Sequence, residues 1–92
     1  MADEHRLDGN AVGGVMLDLF GVEATTAPGV CAHCGAREQL AVTDVYMRAP
    51  GIVVRCRHCE GVLIRIVRGR GRTWLDLTGL ASIELLNPSS ET

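Results

Sequence analysis

Cys31-Ala32-His33-Cys34-Gly35 and Cys56-Arg57-His58-Cys59-Glu60-Gly61 decide how this chain folds. They are two Cys-x-x-Cys pairs separated by 21 residues, the length of two strands and a turn. Each pair suits a tight turn whose backbone amides point at the thiolates, and the glycine shortly after it lets the chain turn without a steric penalty. Two such turns facing each other place Cys31, Cys34, Cys56 and Cys59 at the corners of a tetrahedral four-sulfur site. A closed thiolate shell is the arrangement of a structural zinc and leaves no position open for substrate. Metal-binding free energy then becomes folding free energy, about 10 kcal/mol or more in small zinc peptides. Zn²⁺, one ion per chain, is the expected cofactor, and iron in the same cage is the alternative, since tetrahedral sulfur suits either metal.

Two other uses of the cysteines fit less well. Disulfides belong to oxidising compartments. Thioredoxin-like redox chemistry places a single Cys-x-x-Cys in a βαβ setting, whereas these pairs lie between strands and occur twice. The acidic start, Met1 to Asp8, is the opposite of a basic, apolar secretory leader, so the chain reads as cytoplasmic. The apolar run Val62 to Val67 is interrupted by Arg65 and falls far short of the roughly 20 residues of a membrane span, so no membrane association is expected.

A chain of 92 residues has room for one domain with a modest core, and domains of this size commonly need a staple. The 47% hydrophobic fraction is mostly aliphatic, with Phe20, Tyr46 and Trp74 the only aromatic bulk. The net charge of −2 hides a division, with acids concentrated at the ends and arginines in the middle. Every basic side chain is arginine, which reflects a GC-rich genome as readily as a selected contact.

Working outward from the cysteines, the patterning predicts a small metal-stapled α+β fold, a zinc-ribbon-like antiparallel β-sheet with an N-terminal amphipathic helix. Residues 1–7 and 87–92 read as disordered tails, 8–21 as the helix and 22–86 as the β domain packed with it. Asp8 is the expected N-cap and Gly21 the stop. Between them Val12, Val15, Met16, Leu19 and Phe20 form one apolar stripe, which serves either the core or a partner or dimer interface. Gly13 and Gly14 weaken that helix by about 1 kcal/mol each relative to alanine. Strands are expected over Gln39–Arg48, with a bulge near Thr43-Asp44 where the alternation shifts, and over Ile52–Arg55, Val62–Arg68 and Thr73–Leu77. Ala49-Pro50-Gly51 and Gly69-Arg70-Gly71 read as turns, and Leu80–Leu86 fits a strand or a short helix equally.

Leu7-Asp8-Gly9-Asn10-Ala11, Phe20-Gly21, Cys31 to Gly35, Arg48-Ala49-Pro50-Gly51, Arg55-Cys56-Arg57-His58-Cys59 and Thr73-Trp74-Leu75-Asp76-Leu77 resemble, over most of the chain, an actinobacterial family of small proteins of unknown function. That family is similar to zinc ribbons, and Cys31, Cys34, Cys56 and Cys59 match its four cysteines by position. The resemblance carries no activity. Its oxidoreductase gene neighbourhood implies an accessory role beside flavin- or molybdenum-dependent electron transfer.

Three functions are consistent with these residues. The first is a non-catalytic zinc-binding module that serves a protein partner, with homo-oligomerisation open. The second is a rubredoxin-like iron electron carrier on the same cysteines. The third is a nucleic-acid-binding zinc ribbon using Arg48, Arg55, Arg57, Arg65, Arg68, Arg70 and Arg72, against which stand the acidic ends and the lack of aromatic residues interleaved with the arginines. His33 and His58 read as outward-facing turn residues that, with Arg57, are available to a partner. No enzyme activity is expected: the metal shell is closed, no serine has a neighbouring histidine, and no glycine-rich phosphate loop is present.

Overall fold

In the computed structural model, which describes residues 6–21, 24–48 and 51–85, the chain forms two antiparallel sheets and one short helix. Strand β1 is Arg6–Asp8, α1 is Gly13–Phe20, β2 is Pro28–Cys31, β3 is Arg37–Gln39 and β4 is Asp44–Arg48. Strands β5 (Gly51–Arg55), β6 (Val62–Gly69), β7 (Arg72–Asp76) and β8 (Leu80–Ile83) follow. The larger sheet has the order β1-β4-β5-β6-β7 and the smaller one β3-β2-β8.

The expected disordered start is corrected at its inner end. Arg6–Asp8 adds an edge strand to β4, pairing Leu7 with Val45 and Asp8 with Asp44, because β4 offers a free row of backbone hydrogen-bonding groups. Residues 1–5, and the expected tail 87–92, lie outside the described residues. So do Ala49 and Pro50 of the expected turn and Leu86 at the end of the expected domain.

Between Asp8 and Gly21 the helix begins as a 3₁₀ turn over Gly9–Val12 and becomes α-helical only at Gly13. Asp8 caps the 3₁₀ turn, its Oδ1 accepting from the Asn10 amide at 3.1 Å. Gly21 ends the helix in the left-handed region at φ 73°. The apolar stripe is absorbed by the core: Val12 and Met16 are buried, and Val15 and Leu19 pack against them. That corrects the interface reading for Val12 and Met16, which burial removes from any partner, while Val15 and Leu19 stay partly exposed. Of Phe20 the backbone alone is described.

The expected strand Gln39–Arg48 spans three elements. Gln39 closes β3, a 3₁₀ turn occupies Leu40–Val42, and β4 starts at Asp44. The shifted alternation around Thr43 therefore marks this turn and not a bulge. Buried Thr43 secures it, its amide donating to the Leu40 carbonyl at 3.1 Å and its Oγ1 to the same oxygen at 2.7 Å. The bulge of the large sheet lies elsewhere. Val54 pairs with Ile64 and Arg55 with Val62, so Leu63 is the extra residue, and consecutive Leu63 and Ile64 are both buried.

Leu80–Ile83 resolves as a strand, laid against β2. The β6–β7 connection is tighter than expected, Gly69 pairing with Arg72 around Arg70-Gly71. The core lies between the two sheets and the helix, built from Val12, Met16, Leu40, Val45, Val54, Ile64 and Ile66 with the buried sulfurs of Cys31 and Cys56 at its rim. Among the described residues no helix is long and apolar enough to cross a membrane.

Candidate metal centre

The first Cys-x-x-Cys turn joins β2 to β3 in the small sheet, and the second joins β5 to β6 in the large one. Their local geometry is nearly the same. The Cys31 amide donates to the Ala36 carbonyl and the Cys56 amide to the Gly61 carbonyl, each at 2.9 Å. The Gly35 amide returns to the Cys31 carbonyl and the Glu60 amide to the Cys56 carbonyl, again at 2.9 Å. Backbone N–H groups also point at sulfur, His33 to Cys31 at 3.3 Å, His58 to Cys56 at 3.4 Å and Gly61 to Cys59 at 3.4 Å. Such donors stabilise thiolate charge.

One difference between the two turns falls where the backbone is left-handed. Gly35 has φ 79°, a conformation open to glycine, whereas the corresponding residue of the second turn is Glu60 at φ 66°. A side chain there strains the backbone. The Arg55 Nη1 donates to the Glu60 carbonyl at 2.8 Å and helps hold that conformation.

Facing each other, the turns bring all four Sγ atoms within 4.8 Å of one another. The pairs Cys31–Cys59 and Cys34–Cys56, each spanning the two turns, are 3.7 Å apart. That is far beyond a covalent S–S bond of about 2.05 Å. It matches the edge of a sulfur tetrahedron around an ion with metal–sulfur bonds of about 2.3 Å, which is about 3.8 Å. The donor set thus fits one tetrahedral ion. Cys31 and Cys56 are buried and Cys34 and Cys59 exposed, so the cage sits at the edge of the core with one side toward solvent.

Without an ion the thiols of Cys31, Cys34 and Cys59 are pulled in different directions. Burial pushes the Cys31 thiol up, but the amides of Cys34 and His33 and the neighbouring thiols outweigh it and bring Cys31 down to about 6. At Cys34 the Ala36 amide pulls down, while desolvation and the crowding of Cys56, Cys31 and Cys59 prevail and push it up to about 12. At Cys59 the Gly61 amide likewise pulls down, yet burial and Cys31 leave it raised. Four anions cannot share so small a volume unless a cation is among them.

The turn histidines are exposed, as expected, but each reaches across to the opposite half. His33 Nε2 donates to the Val62 carbonyl at 3.1 Å, and His58 Nε2 meets Glu38 Oε2 at 2.9 Å. Arg57 lies 3.6 Å from Asp44 of β4, and the Ala32 amide donates to the Gly79 carbonyl at 2.8 Å. These cross-links were invisible in the sequence, because their partners lie 13 to 47 positions away.

The seven arginines do not form one patch. Arg57 sits on the second turn and Arg70 in the β6–β7 connection. Arg55, Arg65 and Arg72 occupy the outward face of the large sheet, while Arg68 alternates with Ile64 and Ile66 toward the other face beyond the core. Of Arg48 the backbone alone is described.

The sequence profile of a family of unknown function, DUF6510, matches residues 2–88. The chain belongs to this family. The matched stretch includes both cysteine turns and every strand described above. No curated protein and no solved structure matches the chain. Membership in DUF6510 therefore brings no activity or partner with it, and the function rests on the chemistry of the residues.

Proposed function

We propose that this protein is a non-catalytic zinc-binding module of zinc-ribbon type, an accessory or interaction protein whose four-cysteine site is structural. One observation carries the reading: the four sulfurs stand at tetrahedral spacing and come in pairs from two different sheets, so a single ion joins the halves of the fold. The cross-links beside the cysteine turns, His33 to the Val62 carbonyl and His58 to Glu38, are a single hydrogen bond and an exposed ion pair of small worth. Metal binding therefore acts as the main covalent-strength clamp on a small core.

A closed four-sulfur shell leaves no coordination position for water or substrate. The cavity beside the buried cysteines, between Cys31, Cys56, Leu63 and Leu80, measures about 20 Å³, which admits one water and no substrate. Four unpaired cysteines suit a reducing compartment, here taken as the cytoplasm.

Elemental analysis and a visible spectrum of protein purified anaerobically without a metal-binding tag test the reading. The expected result is about one zinc per chain, no colour, and loss of tertiary structure on chelation. Iron with thiolate charge-transfer bands would overturn it in favour of an electron carrier, and a folded, metal-free protein would overturn it outright.

A further inference from the structure

The outward face of the large sheet carries a second feature. Antiparallel register sets Tyr46, Val53, Arg65 and Asp76 in one row across β4 to β7. Arg55 and Val62 fall on one side of that row, and Gly51, Val67 and Trp74 on the other. All alternate with the buried Val45, Ile52, Val54, Ile64 and Ile66, so they share the face turned away from the core. Trp74 is 62% exposed and Val67 beside it 41%. A tryptophan so open on a sheet face gains little from folding.

The same face carries Arg55, Arg65 and Arg72. The Arg55 guanidinium lies 5.9 Å from the centroid of the Tyr46 ring. Arg65 occupies the middle row, and Arg72 stands next beyond Trp74 on β7. Its acids are already engaged: Asp8, opposite Asp44 in the register, accepts from the Asn10 amide at 3.1 Å, Asp44 faces Arg57 at 3.6 Å, and Asp76 accepts from the Thr78 amide and hydroxyl at 2.9 and 2.7 Å with Arg65 near it. Among the described residues, none of the close ion pairs involves Arg55, Arg65 or Arg72. Next to Arg65 an open groove of about 350 Å³ is lined by His33, Val62, Asp76 and Thr78.

We infer that the face bearing Tyr46, Arg55, Arg65, Arg72 and Trp74 binds single-stranded nucleic acid. Strand spacing separates Tyr46 from Trp74 by about 15 Å, with guanidinium groups between and beside them. The open ring of Trp74, with the half-buried Tyr46 ring across the sheet and arginines between and beside them, offers what a single strand requires, bases stacking on aromatic rings while phosphates meet the cations. The interleaving that the linear sequence lacks is created by the register. An acidic peptide would satisfy the arginines but leave the Trp74 ring uncovered, and a duplex hides the base faces that Trp74 would stack on. The inference rests on the reading above only in needing the metal-held fold.

Trp74 is the single tryptophan, so its emission reports on the site directly. The experiment titrates full-length, metal-analysed protein with fluorescein-labelled oligo(dT) and oligo(rU) of about ten nucleotides, within the usual site size. Stacking should quench Trp74, and log Kd should rise with log salt at a slope of about 2, from three arginines at about 0.7 each. Trp74→Ala and Arg65→Glu should each weaken binding about tenfold or more, Trp74→Phe far less, with metal content and circular dichroism unchanged. A zinc-replete protein that leaves both oligonucleotides unbound at low salt overturns the inference while leaving the zinc reading intact. Binding indifferent to Trp74→Ala, or polyglutamate displacing the oligonucleotide at equal charge concentration, overturns it in favour of non-specific attraction or an acidic protein partner. Failure of the zinc reading is separately visible in the metal analysis of the same preparation.

Discussion

The imidazole of His33, on the first cysteine turn, lies directly over Gly61 of the second. A Cβ built on Gly61 would stand 2.5 Å from His33 Cδ2 and 2.9 Å from its Cγ. The ring sits there because its Nε2 donates to the carbonyl of Val62, the next residue along. The contact ties the turn of one sheet to the start of β6 in the other, next to the sulfurs.

Gly61→Ala should therefore push the His33 ring away and break its hydrogen bond, destabilising the metal-loaded protein by about 1 kcal/mol. In a His33→Ala background the same substitution should cost almost nothing. Urea denaturation of the four proteins of this cycle gives the coupling directly, and an unchanged penalty in the His33→Ala background would show that the contact does not matter.

Glu60 occupies a left-handed backbone position that the first turn gives to Gly35. Glu60→Gly should relieve that strain and stabilise the protein by about 0.5–1 kcal/mol, the gain being reduced by the greater freedom of glycine in the unfolded chain. The mirror substitution, Gly35→Ala, should destabilise by about 1 kcal/mol. Slower zinc release to a chromophoric chelator from Glu60→Gly would accompany the first result, and faster release the second.

Met16 and Leu17 are neighbours on one helix with opposite fates, Met16 being 2% exposed and Leu17 52%. Met16→Ala should cost about 2–5 kcal/mol and Leu17→Ala less than about 0.5 kcal/mol in thermal or chemical unfolding. Equal effects would mean that the helix does not use this stripe as core.

Asp76 gives the fold an acid-sensitive turn. Hydrogen bonds from the Thr78 amide and hydroxyl hold its carboxyl below the ordinary value of 3.8, with a smaller contribution from Arg65. A carboxylate lowered on folding stabilises the native state above its unfolded pKa, and that contribution fades as pH falls through the folded value. Carbonyl-detected NMR titration of the folded protein should place the Asp76 midpoint below 3.8, and Thr78→Val should raise it. A midpoint unmoved by Thr78→Val would refute the assignment of the hydroxyl as its partner.

Much of this architecture was legible in the residues because its causes are local. The two Cys-x-x-Cys turns with their trailing glycines, the Asp8 cap, the Gly21 stop and the alternating strands β5 and β6 each depend on a few adjacent side chains. Misreadings clustered where pairing overrides local pattern. Arg6–Asp8 has no strand signature of its own and is extended because β4 has an open edge. The uneven alternation near Thr43 looked like a bulge, but the Thr43 hydroxyl closes a 3₁₀ turn there, and the true bulge at Leu63 hides in an unbroken apolar run. Leu80–Ile83 became a strand because β2 lay beside it.

The sequence by itself singled out the four cysteines that cluster, since two Cys-x-x-Cys turns place their thiols through short-range geometry. It also determined the polarity of the helix, whose apolar stripe follows from the helical repeat. Only the tertiary structure decided that the two turns belong to different sheets, that His33 and His58 reach across between them, and that Tyr46, Arg65 and Trp74 come to share one face. Those relationships depend on strand order and register, set by the joint burial of Val45, Val54, Ile64 and Met16, and no stretch of chain short enough to read on its own contains them.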